Sequence, residues 1–167
     1  AVVSEASGAS LAYEAAVAGG IPVIKTLREA LAGNKINRIS GILNGTCNFI
    51  LSQMESDGVS FEAALKNAQK FGFAEAEPDL DISGMDAAQK LALLAGLAFG
   101  VQPDVSQISV TGIEAITDQD ISFADEFNSV IRLISIAGET PDGLVQCVAP
   151  MLVERTHALA QVKNELN

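Results

Sequence analysis

The chain has 167 residues, with 10 Lys and Arg against 21 Asp and Glu, for a net charge of −11. That length fits one domain, and an acidic balance without any basic run excludes a phosphate-backbone binder, so no nucleic-acid partner is expected. Apolar residues at 49% exclude a disordered chain, and 5% aromatics with no Trp leave Ala, Leu, Ile and Val to build the core.

The chain opens without Met in what reads as a helical remnant, Ala1–Ser7, and closes on a polar tail at Asn167. It reads as a piece of a longer protein, with no internal boundary. Leu11–Val17 predicts a short buried strand carrying one acid, Glu14. Ala18-Gly19-Gly20 then turns the chain, and Pro22 near a first helical position predicts a helix over Pro22–Leu31. Lys35–Leu43 alternates and predicts a strand ending at Asn44-Gly45-Thr46. Asn44 or Thr46 caps a helix running to about Ser56 and closed by Gly58. Ser60 caps a helix over Phe61–Phe71, ended by Gly72. A polar, acid-rich loop follows from Phe73 to Ser83, then a long helix over Gly84–Phe99, stopped by Gly100 and Pro103. Its most apolar stretch, Leu91–Phe99, is far too short to span a bilayer, so no membrane is expected. Gln107–Ile113 predicts a strand and Ile121–Phe127 a weak helix. Val130–Ala137 and Gly143–Val153 predict two strands, with Pro141-Asp142-Gly143 as a hairpin turn. Early helices with strands on both sides give an α+β fold with a mixed sheet.

The densest polar cluster runs from Glu75 through Glu77, Asp79 and Asp81 to Asp86, five acids in twelve residues, with no Lys or Arg between Lys70 and Lys90. Such carboxylates repel one another unless a cation or a substrate ammonium sits among them. The alternative is a solvated acidic loop leading into a helix N-terminus, where acids are favoured. Asp79-x-Asp81-x-Ser83-Gly84 imitates an EF-hand start, but Lys90 occupies the position that needs a Glu, which opposes Ca²⁺. Asp86 and Lys90 stand i and i+4 on a largely apolar helix. They form either a surface ion pair or a half-buried proton donor with a tuned pKa. Glu14, in an apolar segment, is either paired to an Arg or a backbone N–H, or binds a cation together with backbone carbonyls freed by the glycines after it. His157 has no partner acid and reads as a surface residue. Cys47 and Cys147 lack metal-ligand spacing and read as free thiols of a reducing, cytoplasmic compartment. Cys47, at a helix start, would have a lowered pKa, but no His is near it in sequence to make it a nucleophile. No signal peptide, GxGxxG loop or P-loop is present.

The stretches GGIPVIKTLREALAGNKINRISGILNGTCNFIL and FGFAEAEPDLDISGMDAAQK closely resemble homoserine dehydrogenase, over nearly all 167 residues. Gly72, Pro78, Asp81, Gly84, Asp86 and Lys90 stand where the family signature has them. Glu77 before Pro78, and Phe73 where many members have Tyr, depart from it at what the family uses as a substrate contact. The resemblance implies an α+β domain whose mixed sheet is covered by helices on one face. It implies an enzyme interconverting L-aspartate 4-semialdehyde and L-homoserine with NADP or NAD, on the route to threonine, methionine and isoleucine. Residues 1–167 would be its substrate-binding and dimerisation domain, with the nucleotide-binding domain and a second active-site lysine outside the chain. Carried over residue by residue, Lys90 is the proton donor to the carbonyl oxygen, and Asp86 and Asp81 are the acids around it and the substrate hydroxyl. Glu75 binds substrate, with Asp86, Thr46, Gly45 and Phe73 beside it. Gly72 approaches the nicotinamide. Glu14, with the carbonyls of Val17, Gly19 and Ile21, holds a monovalent cation, sodium in the family. The same resemblance and the apolar late strands predict a homodimer built on Val130–Ala137 and Gly143–Val153, with Ile134 and Val148 in its interface. Two alternatives remain: a dimerisation module of the same fold that performs no catalysis, and a dehydrogenase acting on a related semialdehyde or amino acid.

Overall fold

The structure, a computed structural model, describes residues 6–163. Ala6 and Ser7 are helical, and the rest of the expected N-terminal remnant lies outside the described residues. The first departure from expectation is Leu11–Val17, which forms no strand; from Glu14 to Ile21 the backbone turns and bends. The cause is Glu14. Its Oε1 accepts the Ile24 N–H at 2.8 Å and its Oε2 the Lys25 N–H at 3.0 Å. The carboxylate thereby satisfies donors that a helix start leaves without partners. Helix α1 is one short turn, Val23–Lys25, continued by a wider π-type turn over Thr26–Ala30 in which the Leu31 N–H reaches Thr26 O at 2.9 Å. The helix expected over Pro22–Leu31 is thus present in extent and looser in pitch.

Strand β1 is Arg38–Gly41, shorter than expected. Helix α2, Gly45–Asp57, starts at Asn44, whose Oδ1 accepts the Cys47 N–H at 2.8 Å, and stops at Gly58 in the left-handed region (φ 62°). Helix α3, Phe61–Phe71, is capped by Ser60 and closed by Gly72. The expected acidic loop contains one helical turn, α4, Asp79–Ile82, before α5, Met85–Phe99. The strand expected over Gln107–Ile113 shrinks to β2, Ser109–Val110, behind a 3₁₀ turn at Val105–Gln107. Beyond Val110 the chain leaves the sheet to meet α4: the Ile113 N–H donates to Ile82 O at 2.8 Å. A Cβ on Gly112 would lie 2.6 Å from Ser83 Cα, so only glycine allows that approach. Helix α6, Asp118–Glu126, starts earlier than expected because Thr117 and Asp120 form a reciprocal capping box. Strands β3, Ser129–Thr140, and β4, Gly143–Glu154, form the long hairpin, turning at Pro141-Asp142.

The sheet order is β1-β3-β4-β2, antiparallel except for the parallel β2–β4 pair, giving the mixed α+β arrangement expected. Ile131, Leu133, Ala137 and Val148 face a core built with α2, α3, α5 and α6. On the opposite face Val130, Ile134 and Val153 gather with Ile42 under Ala160, on a 3₁₀ turn at Ala158–Gln161. Two residues expected in the interface are instead covered within the chain. Val148 is fully buried in the helical core, and Ile134 is covered by the 3₁₀ turn at Ala158–Gln161.

Candidate active site

The i,i+4 pair on α5 is formed: Lys90 Nζ lies 2.7 Å from Asp86 Oδ2, with the two side chains 26% and 21% exposed. Lys90 Nζ also donates to Leu43 O at 3.2 Å, at the end of the β1 segment. Asn44, almost wholly buried, spends its Nδ2 on two carboxylates at once, Asp81 Oδ1 at 2.7 Å and Asp86 Oδ2 at 2.8 Å. Asp81, Asp86 and Lys90 are therefore one connected cluster where the β1–α2 junction, α4 and α5 meet. Gly84 makes the meeting possible. It holds a left-handed conformation (φ 81°) between α4 and α5, and a Cβ there would come to 3.2 Å from Val110 Cγ1.

The remaining expected site residues lie at the start of α2 and along the Phe71–Ala76 bend. Thr46 Oγ1 donates to Phe73 O at 2.7 Å, tying the start of α2 to that bend, with Gly45 beside it. The Phe73 ring sits 4.8 Å from that of Phe49, and Phe71 packs edge-on to Phe49 at 6.2 Å. Glu75 is exposed, and its carbonyl accepts from Gln69 Nε2 at 3.2 Å, which fastens the bend to α3. Gly72 is left-handed (φ 79°), and a Cβ built on it would meet nothing within 4 Å, so open space adjoins its backbone. The acid-rich segment divides. Asp81 and Asp86 join the cluster, while Glu77 and Asp79 line a separate open cleft with Glu114.

One expectation changes here. The Cys47 thiol is not lowered by the helix start. Burial raises its pKa far above the ordinary thiol value, and Asp81, Asp86 and Glu114 add to the shift. Its Sγ donates to Asp81 O at 3.2 Å, so it is a packed thiol. Glu14 lies apart from the cluster on its own turn, and both its carboxylate oxygens accept backbone N–H groups. The backbone pairing that the sequence offered for Glu14 is thus formed. Among the described residues no three His, Cys, Asp or Glu side chains converge as metal ligands.

Sequence reasoning missed Asn44 as a member of the cluster. An Asn between a strand and a helix signals a cap, but nothing local reports acids 37 and 42 positions away. It also missed a second ionic cluster at the other end of α2. There Glu55 bridges Arg132, which is fully buried, and the part-exposed Arg155, at 2.9 Å each, and Arg155 reaches Asp125 at 2.9 Å.

A family model described as homoserine dehydrogenase matches residues 22–167. The chain belongs to the homoserine dehydrogenase family. The homoserine dehydrogenase of Bacillus subtilis is 44% identical over 161 residues, covering 96% of this chain and 37% of its own length. That of Synechocystis is 44% identical over 164 residues, with 96% and 38% covered. A solved homoserine dehydrogenase from Thiobacillus denitrificans superposes with a TM-score of 0.95 at 42% identity, over 98% of this chain and 38% of that one. A Staphylococcus aureus homoserine dehydrogenase gives 0.84 at 36% identity over 98% and 38%. The chain thus spans under two fifths of the length of each of these four relatives. No described helix is long and apolar enough to cross a membrane.

Proposed function

We propose that this chain is the substrate-binding and dimerisation domain of a homoserine dehydrogenase, an oxidoreductase interconverting L-homoserine and L-aspartate 4-semialdehyde in the biosynthesis of threonine, methionine and isoleucine, in the cytoplasm. The observation that carries the reading is the half-buried Lys90–Asp86 pair, held against the β1–α2 junction inside a fold that this family shares. Reduction of an aldehyde leaves charge on its oxygen, and an ammonium fixed at that point stabilises it and gives up a proton. Asp86 orients Nζ, and Asp81 completes the polar wall toward the hydroxyl. Glu75, exposed on the bend that Thr46 ties to the start of α2, supplies the carboxylate for the α-ammonium, with Gly45, Thr46 and Phe73 shaping that side. NADP or NAD supplies or accepts the hydride when bound. Within this chain the open backbone at Gly72 is the part suited to approach it, and the rest of its site lies outside these residues. For the cation, sodium would draw on Glu14, whose carboxylate oxygens each accept one backbone N–H and keep further lone pairs, and on the carbonyl oxygens of Val17, Gly19 and Ile21 in the irregular turn.

The homodimer would form on the sheet face away from the helices. There Arg38, Ser40, Ile136 and Met151 surround a hollow of about 230 Å³, and Val145, also on this face, is half exposed. An isologous pairing of this face covers both copies at once. Sedimentation of the chain should give twice the 17.3 kDa monomer mass, and Val145→Asp should shift it toward monomer.

The activity is tested by following reduced nicotinamide during homoserine oxidation. The full-length protein should turn over with NADP or NAD, and residues 1–167 alone should not. Absence of turnover in the full-length protein with either cofactor would sink the dehydrogenase reading and favour the module that performs no catalysis.

A further inference from the structure

Asn44 has three hydrogen-bonding atoms to satisfy in a site where it is only 3% exposed, and all are used. Its Oδ1 caps α2 through the Cys47 N–H. Its two amide hydrogens go to Asp81 and Asp86. Capping needs only the oxygen, and Asn, Asp and Ser serve equally well in that role. The amide end does something the cap does not require: it places a neutral double donor between two carboxylates that otherwise repel. Asp86 Oδ2 is shared between the Asn44 amide and Lys90 Nζ, at 2.8 and 2.7 Å. The position of Nζ is therefore set from two sides, by Leu43 O and by an Asp86 that Asn44 holds in place. The Cys47 thiol, donating to Asp81 O, fixes the backbone of the other acid.

We propose that Asn44 is a positioning residue for the Lys90–Asp86–Asp81 cluster, setting the place of the Lys90 ammonium through the two carboxylates. The assignment rests on the dehydrogenase reading above. Asn44→Ser keeps a capping oxygen and removes the bridge. Asn44→Asp keeps both shape and cap and turns the double donor into a third carboxylate. A misplaced reacting group on the scale of 1 Å costs on the order of 10²-fold in rate.

In the full-length enzyme, Asn44→Ser should melt close to the parent and lose roughly 10- to 100-fold in kcat, with KM for homoserine changing less than kcat, and Asn44→Asp should lose at least as much kcat and melt lower, because it adds a buried like charge. On a Lys90→Ala background, Asn44→Ser should cost little more, because it acts through the same group. Folded variants that keep the parental kcat would overturn the assignment. So would a full additional loss on the Lys90→Ala background, or failure of both variants to fold, which would make Asn44 a residue of the fold. A parent protein inactive on homoserine would instead defeat the reading beneath it.

Discussion

Helix α2 has an ionic cluster at each end, reached through Asn44 and Glu55, which stand about 16 Å apart at the usual rise per residue. At its C-terminal end Glu55 and Asp125 face Arg132 and Arg155, so charge is matched, and Arg132 is fully buried. At its N-terminal end Asp81 and Asp86 face Lys90 alone, leaving one carboxylate beyond balance, and the Lys90–Asp86 pair stays a quarter open to solvent. A buried guanidinium is tolerable only when it is paired, so the matched cluster is architecture, joining α2, β3 and the end of β4. The unmatched, half-open cluster keeps an acid in reserve and an ammonium within reach of a ligand. Net charge and exposure, more than the presence of ion pairs, separate the end that holds the fold from the end suited to chemistry.

The largest effect should come from the matched end. Glu55→Ala strands the Arg132 charge in the core and should cost about 3–5 kcal/mol in urea unfolding. A loss under about 1 kcal/mol would erase the distinction between the two ends. The converse substitution, Lys90→Ala, should lower kcat of the full-length enzyme roughly 10²-fold or more while costing less stability than Glu55→Ala. A kcat within a few-fold of the parent would remove Lys90 from the proton step. Glu75→Ala should raise KM for homoserine about tenfold, the scale of one charged hydrogen bond, with kcat little changed. If kcat falls instead and KM holds, Glu75 belongs with the reacting groups.

The smallest effect tests a third, purely local feature. Thr117→Ala should cost about 1 kcal/mol through the lost cap of α6 and leave both ionic clusters intact. Asp120 sits below the usual carboxylate range because the Thr117 hydroxyl and N–H bond its ionised form. The contribution of Asp120 is present above its unfolded pKa and fades as pH falls through its lower folded pKa. Denaturant titrations should therefore show Asp120→Asn losing less, relative to the parent, near pH 2 than at pH 7. An equal gap at both pH values would mean that the ionised carboxylate contributes nothing there.

By itself the sequence determined whatever is encoded within a turn or two of helix. Asn44 and Gly58 bound α2, Ser60 and Gly72 bound α3, Pro141-Asp142 turns the hairpin, and the spacing of Asp86 and Lys90 forces them together, because caps, left-handed glycines and i,i+4 neighbours act over a few residues. The family was legible as well, since the signature from Gly72 to Lys90 is long and contiguous. Tertiary structure alone decided the rest. The Leu11–Val17 segment has an apolar pattern fit for a strand, but Glu14 finds its donors ten and eleven residues on and folds the segment into turns. Val148 and Ile134 both read as apolar strand positions, and only the register of β3 against β4 put one in the helical core and the other under Ala160. Arg132 looks like a surface charge in a strand until Glu55 arrives from 77 positions away. In each case the deciding partner is distant in the chain, and a pattern of polarity names a need for burial or pairing without naming what meets it.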